Sequence, residues 1–130
     1  MSVNPIEIPP LDQRTGDVNV VVETPRGSRI KFKFDERRHL YSLGKVLPIG
    51  MVFPFDFGFV PSTRCEDGDP LDVLLFVDEP LFAGCLVRSR LIGAIEVRQV
   101  QENGKIVRND RLLAVAVESV AYRELECILQ

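Results

Sequence analysis

The chain predicts a mainly β protein, a small barrel or sandwich. Three observations carry this. Short apolar runs recur along the chain with turn residues between them. Residues 29–35 alternate, with Ile30, Phe32 and Phe34 on one side and Arg29, Lys31, Lys33 and Asp35 on the other. Only Ser119–Leu129 offers a stretch suited to a short helix.

Taken in order, residues 1–15, with Pro5, Pro9 and Pro10, predict an irregular N-terminal arm. Val18–Glu23 is rich in β-branched residues and predicts a strand. Thr24-Pro25-Arg26-Gly27-Ser28 is a turn, and Arg29–Asp35 is the half-buried strand that follows it. The two strands are expected to form a hairpin whose polar face carries Glu23, Lys31 and Lys33. Phe53–Pro61 is aromatic-rich and broken by Pro54 and Gly58. It is not a helix, and Pro54 argues against a central strand, because proline cannot donate to a ladder. Further strands are expected at Leu71–Val77, at Leu86–Val100 with a bend at Gly93, and at Leu112–Glu118. Glu102-Asn103-Gly104 is a hairpin turn, since Asn-Gly tolerates the positive φ that tight turns need.

The length of 130 residues corresponds to a single domain, 1–130, able to bury its own core. Hydrophobic content of 45% and charged content of 27% are ordinary for a globular protein. No apolar run approaches a membrane span, and Met1-Ser2-Val3-Asn4-Pro5 lacks the basic and apolar regions of a secretory signal. The three cysteines are widely spaced and lack a metal-site pattern, so reduced thiols and a cytoplasmic location are expected. A net charge of −3 argues against a general nucleic-acid binder.

Asp67-Gly68-Asp69-Pro70-Leu71-Asp72 is the most informative stretch. Its three carboxylates repel one another unless cations sit between them. A hard divalent ion such as Mg²⁺ takes oxygen ligands and keeps several waters, so it suits such a rim. Gly68 and Pro70 can hold the acids in a preset fan. The same residues also make an ordinary solvated turn. An EF-hand loop is excluded, because the ligand, glycine and glutamate positions counted from Asp67 hold Leu71, Asp72 and Asp78.

Glu23-Thr24-Pro25, Lys31, Phe53-Pro54 with Phe57-Gly58-Phe59, and Asp67 to Leu74 occur in the order and spacing of the soluble family I inorganic pyrophosphatases. The chain resembles that family from about Asn19 to Val115. The resemblance implies an OB-like five-stranded β-barrel with little helix. It also implies hydrolysis of pyrophosphate, or a related phosphoanhydride, to phosphate with Mg²⁺ in a cytoplasmic homo-oligomer. By the same resemblance, Asp67 and Asp72 hold metal near the nucleophile and Asp69 is the base beside the attacking water. Glu23 orders a metal-bound water shell, Lys31 binds phosphate, and Glu102 belongs to a later metal-binding pair.

Departures from the family pattern cluster at the site. Lys33 stands where the family has a second acid, and Lys45 where it has a phosphate-binding arginine, losing the bidentate fork. Two site tyrosines align with Phe53 and Phe57. The acidic pair aligns with Gln101-Glu102, and the next metal-binding aspartate with Asn109. Asp110 replaces it only by a one-residue slip, which turns the side chain to the other face. Arg111 stands where the family has a lysine that contacts the substrate. The family's tyrosine–lysine pair and long final helix have no counterpart before Gln130, so an exposed apolar strip buried in a homo-oligomer is expected.

Two readings follow: a Mg²⁺-dependent diphosphatase weakened by these changes, or a pyrophosphatase-like module that has lost catalysis and binds metal, phosphate or a protein partner. Oligonucleotide binding, which OB-type barrels also host, is disfavoured because Phe32 and Phe34 are expected on the face opposite Lys31 and Lys33. His39 in its charged loop reads as a solvated residue, and Cys127 as a packed one.

Overall fold

The structure is a computed structural model that describes residues 8–65 and 68–126. It contains nine strands: β1 (Val18–Thr24), β2 (Ile30–Asp35), β3 (Leu40–Val46), β4 (Asp56–Val60), β5 (Leu71–Phe76), β6 (Leu86–Ile95), β7 (Arg98–Val100), β8 (Ile106–Arg108) and β9 (Arg111–Ala116). Five of them close into a barrel in the order β1-β4-β5-β9-β6, and the β2–β3 and β7–β8 pairs form separate two-stranded ribbons. The β5–β9 ladder is parallel, and the other barrel ladders are antiparallel.

The apolar patterns explain which strands enter the barrel. Val20 and Val22 on β1 join Val60, Val73, Leu75 and Ala114 in one buried cluster. Val21 points the other way and packs with Phe34 and Phe59 beneath the β2–β3 ribbon. Both faces of β1 are therefore covered, which is why it reads as a nearly continuous apolar run rather than an alternation. A third cluster of Ile92, Leu113 and Val115 lies under the C-terminal turns, where Tyr122 and Leu125 pack. Gly58 lets β4 approach β1: a Cβ there would lie 2.4 Å from the Val21 carbonyl oxygen.

Three expectations are corrected. First, β2 does not form a hairpin with β1; its ladder partner is β3, through pairs such as Phe34↔Tyr41 and Lys33↔Ser42. β1 is already paired on both edges, with β4 and β6, so no edge is left for β2. Second, the segment after Pro54 does enter the barrel as a central strand, because β4 starts at Asp56, beyond the ring that cannot donate. Third, no helix forms among the described residues after β9; residues 117–118 and 121–124 make turns with a bend at 120 between them, and 127–129 of the expected helix lie outside the described residues. Asp78 organises those turns. Its carboxylate accepts from the Ser119 hydroxyl at 2.5 Å and from the Val120 and Ala121 amides at 3.1 Å each. The Leu86–Val100 run divides as its bend implied, with a register shift between Leu91 and Gly93 and a break before β7.

Candidate active site

Thr24 and Glu23 close the end of β1 against β2 with side chains instead of a ladder. The fully buried Thr24 hydroxyl accepts from the Phe32 amide at 3.1 Å and donates to the Phe32 carbonyl at 3.2 Å. Glu23 Oε2 accepts from the Phe34 amide at 3.0 Å. These bonds hold the ribbon over the barrel and create a cleft of about 280 Å³ beneath it.

Each neighbouring element sends residues into that cleft. β1 supplies Glu23; β2 supplies Lys31 and Lys33; the loop before β5 and β5 itself supply Asp69 and Asp72. Gln99 comes from β7, Asn109 from the β8–β9 junction and Arg111 from β9. Sheet register sets the spacing, since Asp72 pairs with Phe59 on one side and with Arg111 on the other. The Arg111 guanidinium lies over the Phe57 ring, 5.6 Å from its centroid, a cation–π arrangement. Its Nε is buried and finds no hydrogen-bond partner among the described residues. Such an orphaned donor suits a ligand that brings an acceptor oxygen.

Electrostatics tie Glu23 to the rest of the site. Burial raises its pKa above the ordinary value; the Phe34 amide and the charges of Lys31 and Lys33 oppose this, and the charge of Asp69 adds to it. The Tyr41 hydroxyl is pushed up to about 12, first by burial and then by the charge of Glu23.

The cleft thus brings together five of the residues singled out in the sequence: Glu23, Lys31, Asp69, Asp72 and Arg111. Of the three others, the two described ones do not line it. Asp67 lies outside the described residues. Lys45 faces Lys31 across the β2–β3 ladder but does not line the cleft. Glu102 sits with Gln101 and Asn103 at the tip of the β7–β8 hairpin, and the residue of that hairpin that reaches the cleft is Gln99. Gln99 pairs with Val107 in a ribbon of two three-residue strands, too short for sequence alternation to assign a face. Glu36, in the β2–β3 turn, also lines the cleft and carried no sequence signal beyond a charged loop. Asn109, 8% exposed, occupies the cleft position, whereas Asp110 takes an ion pair with Arg108 at 2.8 Å. The expected separation of faces on β2 holds in its burial, with Phe34 in the core and Lys31 and Lys33 exposed, while Phe34 also borders the cleft.

The donor set can be tested against a divalent ion. Among the described residues no three acidic, histidine or cysteine side chains converge to cage an ion. Mg²⁺ does not require a cage: it keeps several waters and is held by one or two carboxylates plus substrate phosphates. Asp72 and Asp69, with hard oxygen atoms beside the cationic Lys31 and Arg111, fit that requirement.

Comparison with known proteins finds similar chains. The family model described as inorganic pyrophosphatase matches residues 20–130. The inorganic pyrophosphatase of Synechocystis sp. is 34% identical over 119 residues, covering 92% of this chain and 68% of that protein. Soluble inorganic pyrophosphatase 1 of Arabidopsis thaliana is 38% identical over 105 residues, covering 81% of this chain. The chain spans about half the length of that plant relative, 47%. The solved structure of the inorganic pyrophosphatase from Thermus thermophilus superposes with a TM-score of 0.84 at 32% identity, covering 97% of this chain and 70% of that one.

Proposed function

This chain belongs to the inorganic pyrophosphatase family, and from that premise we propose that it hydrolyses pyrophosphate, or a related phosphoanhydride, to two phosphates with Mg²⁺ as cofactor. The observation that carries the reading is the convergence of Glu23, Asp69 and Asp72 with Lys31 and Arg111 on one cleft. Carboxylates for metal and water facing cations for phosphate are the parts that phosphoryl transfer to water requires.

Asp72 is the metal-holding residue of this reading among the described ones, and Asp67 joins it by resemblance. Glu102 is left out of the set because it stands at the hairpin tip. When bound, magnesium supplies charge neutralisation at the phosphoryl oxygens and makes water a better nucleophile. Asp69 takes the proton of the attacking water on its carboxylate. Glu23, held by the Phe34 amide, accepts hydrogen bonds from water at the same end of the cleft. Lys31 and Arg111 hold the phosphoryl oxygens, and the Arg111 guanidinium lies over the Phe57 ring. Lys45, paired with Lys31 across the ladder, enters the reading as a phosphate-binding residue by resemblance alone.

Weakened turnover belongs to the proposal. Gln99 and Asn109 offer neutral amides to the cleft, and Phe57 offers no hydroxyl. Loss of one stabilising donor costs about 2.7–4 kcal/mol of transition-state stabilisation. The same residues favour a second reading, a module that binds metal and phosphate without turnover. Phosphate release from pyrophosphate with Mg²⁺ separates the two: release well above background that vanishes in Asp72→Ala supports the enzyme, and none from either protein supports the binding module. A cytoplasmic homo-oligomer completes the proposal. Leu86 and Leu91 on β6 and Val117 and Val120 beyond β9 are exposed large apolar residues that an interface would cover. Sedimentation as a monomer at micromolar concentration would count against it.

A further inference from the structure

The cleft is not uniformly acidic, and its charges sort by element. Glu23 on β1, Glu36 in the β2–β3 turn, Asp69 in the loop before β5, and Asp72 on β5 provide carboxylates. The lining from β7, the β8–β9 junction and β9 contains no carboxylate: it consists of Gln99, Asn109 and Arg111. Asp110, which follows Asn109, is committed elsewhere. Its Oδ2 accepts from Arg108 at 2.8 Å, and its Oδ1 faces the Val97 amide at 3.4 Å. From above, β2 lowers two ammonium groups into the same space, Lys31 and Lys33. Both lie close enough to Glu23 for their charges to act on its carboxyl.

These groups share one chemistry. Lysine offers three N–H donors and no acceptor, arginine five donors, and an amide two donors beside a neutral oxygen. Carboxylate oxygens are far better ligands than amide groups for a hard divalent ion in a cleft open to water. The same donors suit the oxygens of a phosphoryl group directly. The buried Nε of Arg111 is a second sign, since it finds no acceptor among the described residues.

We propose that Lys33, with Gln99, Asn109 and Arg111, forms a metal-free oxyanion subsite, so that this chain grips one phosphoryl group of its substrate directly and needs divalent ions only at the carboxylate end. Lys33 is the specificity-determining residue of the subsite: its ammonium takes the place of an ion that would otherwise enter with the substrate. The chain then accepts a metal-poor diphosphate.

The inference rests on the diphosphate reading of the cleft, and its test is chosen to fail separately. The probe is imidodiphosphate, which keeps two phosphoryl groups and resists hydrolysis, titrated calorimetrically with and without Mg²⁺. In EDTA the natural chain is expected to bind it, and Lys33→Gln to weaken that binding at least tenfold. Lys33 is exposed, so the variant is expected to stay folded, and circular dichroism checks this. Gln99→Glu, also at an exposed position, is expected to weaken metal-free binding and to raise the number of Mg²⁺ ions taken up with the probe. Binding that strictly requires Mg²⁺ and is unchanged by Lys33→Gln would overturn the inference while leaving the diphosphatase reading intact. Metal-free binding lost in Lys33→Gln, with no phosphate released from pyrophosphate, would support the subsite and remove the enzymatic reading. No binding of the probe under any condition would overturn both.

Discussion

Glu23 Oε2 accepts a hydrogen bond from the Phe34 amide at 3.0 Å, joining β1 to a strand with which it shares no ladder. Together with the two bonds between the Thr24 hydroxyl and Phe32, it positions a cleft carboxylate and the β2–β3 ribbon that carries Lys31 and Lys33. Burial costs the carboxylate part of its hydration, and the amide and the lysines return part of it.

A pH dependence follows from the raised pKa of Glu23. In the folded protein the carboxyl holds its proton to higher pH than in the unfolded chain. Its contribution to stability is therefore full below the unfolded pKa and is lost as pH rises through the folded one. In EDTA, thermal unfolding between pH 4 and pH 8 should show Glu23→Gln gaining on the natural chain as pH rises. A constant difference across that range would count against the argument.

Thr24→Val tests the splice between β1 and β2. The substitution keeps shape but removes the hydroxyl that serves both the amide and the carbonyl of Phe32. Each buried group left unsatisfied costs about 1–3 kcal/mol. Urea denaturation should show a lowered midpoint with an unchanged slope, and release of phosphate should fall with the loosened ribbon. An unaltered midpoint would show that the splice does not stabilise the fold.

Gly58→Ala should be disruptive for a steric reason. The added methyl would lie 2.4 Å from the Val21 carbonyl oxygen, so one barrel strand must move. Overpacking of this kind costs about 1–3 kcal/mol, and backbone contact puts it toward the upper end. Equilibrium unfolding measures it, and a loss below about 0.5 kcal/mol, the scatter expected of ordinary surface changes, would refute the assignment.

Arg111→Met removes the guanidinium that lies over Phe57 and whose buried Nε has no partner among the described residues. If the residue holds a phosphoryl oxygen, kcat should fall by about 10²–10³-fold. Steady-state phosphate release would show this, and a change of less than twofold would exclude that role.

The turns after β9 depend on Asp78. Its pKa is lowered first by the Ser119 hydroxyl, with the Ala121 and Val120 amides adding to this. A depressed carboxylate stabilises above its unfolded pKa, and the contribution is lost as pH falls through the folded one. Asp78→Asn should therefore speed hydrogen exchange at the Val120 and Ala121 amides at neutral pH, and the difference should shrink in acid.

Some of this organisation is local and was legible in the residues. β1 and β9 announce themselves because their apolar runs are buried on both faces, and β5 because Val73 and Leu75 are buried while Leu74 and Phe76 are half-buried. Asn103-Gly104 marks the β7–β8 turn because Gly104 adopts φ +79. The acidic hexapeptide marks the cleft because carboxylates so closely spaced need compensation, and Asp69 and Asp72 do line it. Other features are set by partners distant in the chain. β3 is exposed along nearly its whole length and leaves no pattern to read, so the residues alone point β2 to the wrong partner. Gln99 reaches the cleft rather than Glu102 because the β7–β8 ribbon places it there, and register in so short a ribbon is not encoded by alternation. Side-chain chemistry is a local property of the chain, but which side chains meet is set by the closure of a barrel whose neighbouring strands lie far apart in sequence.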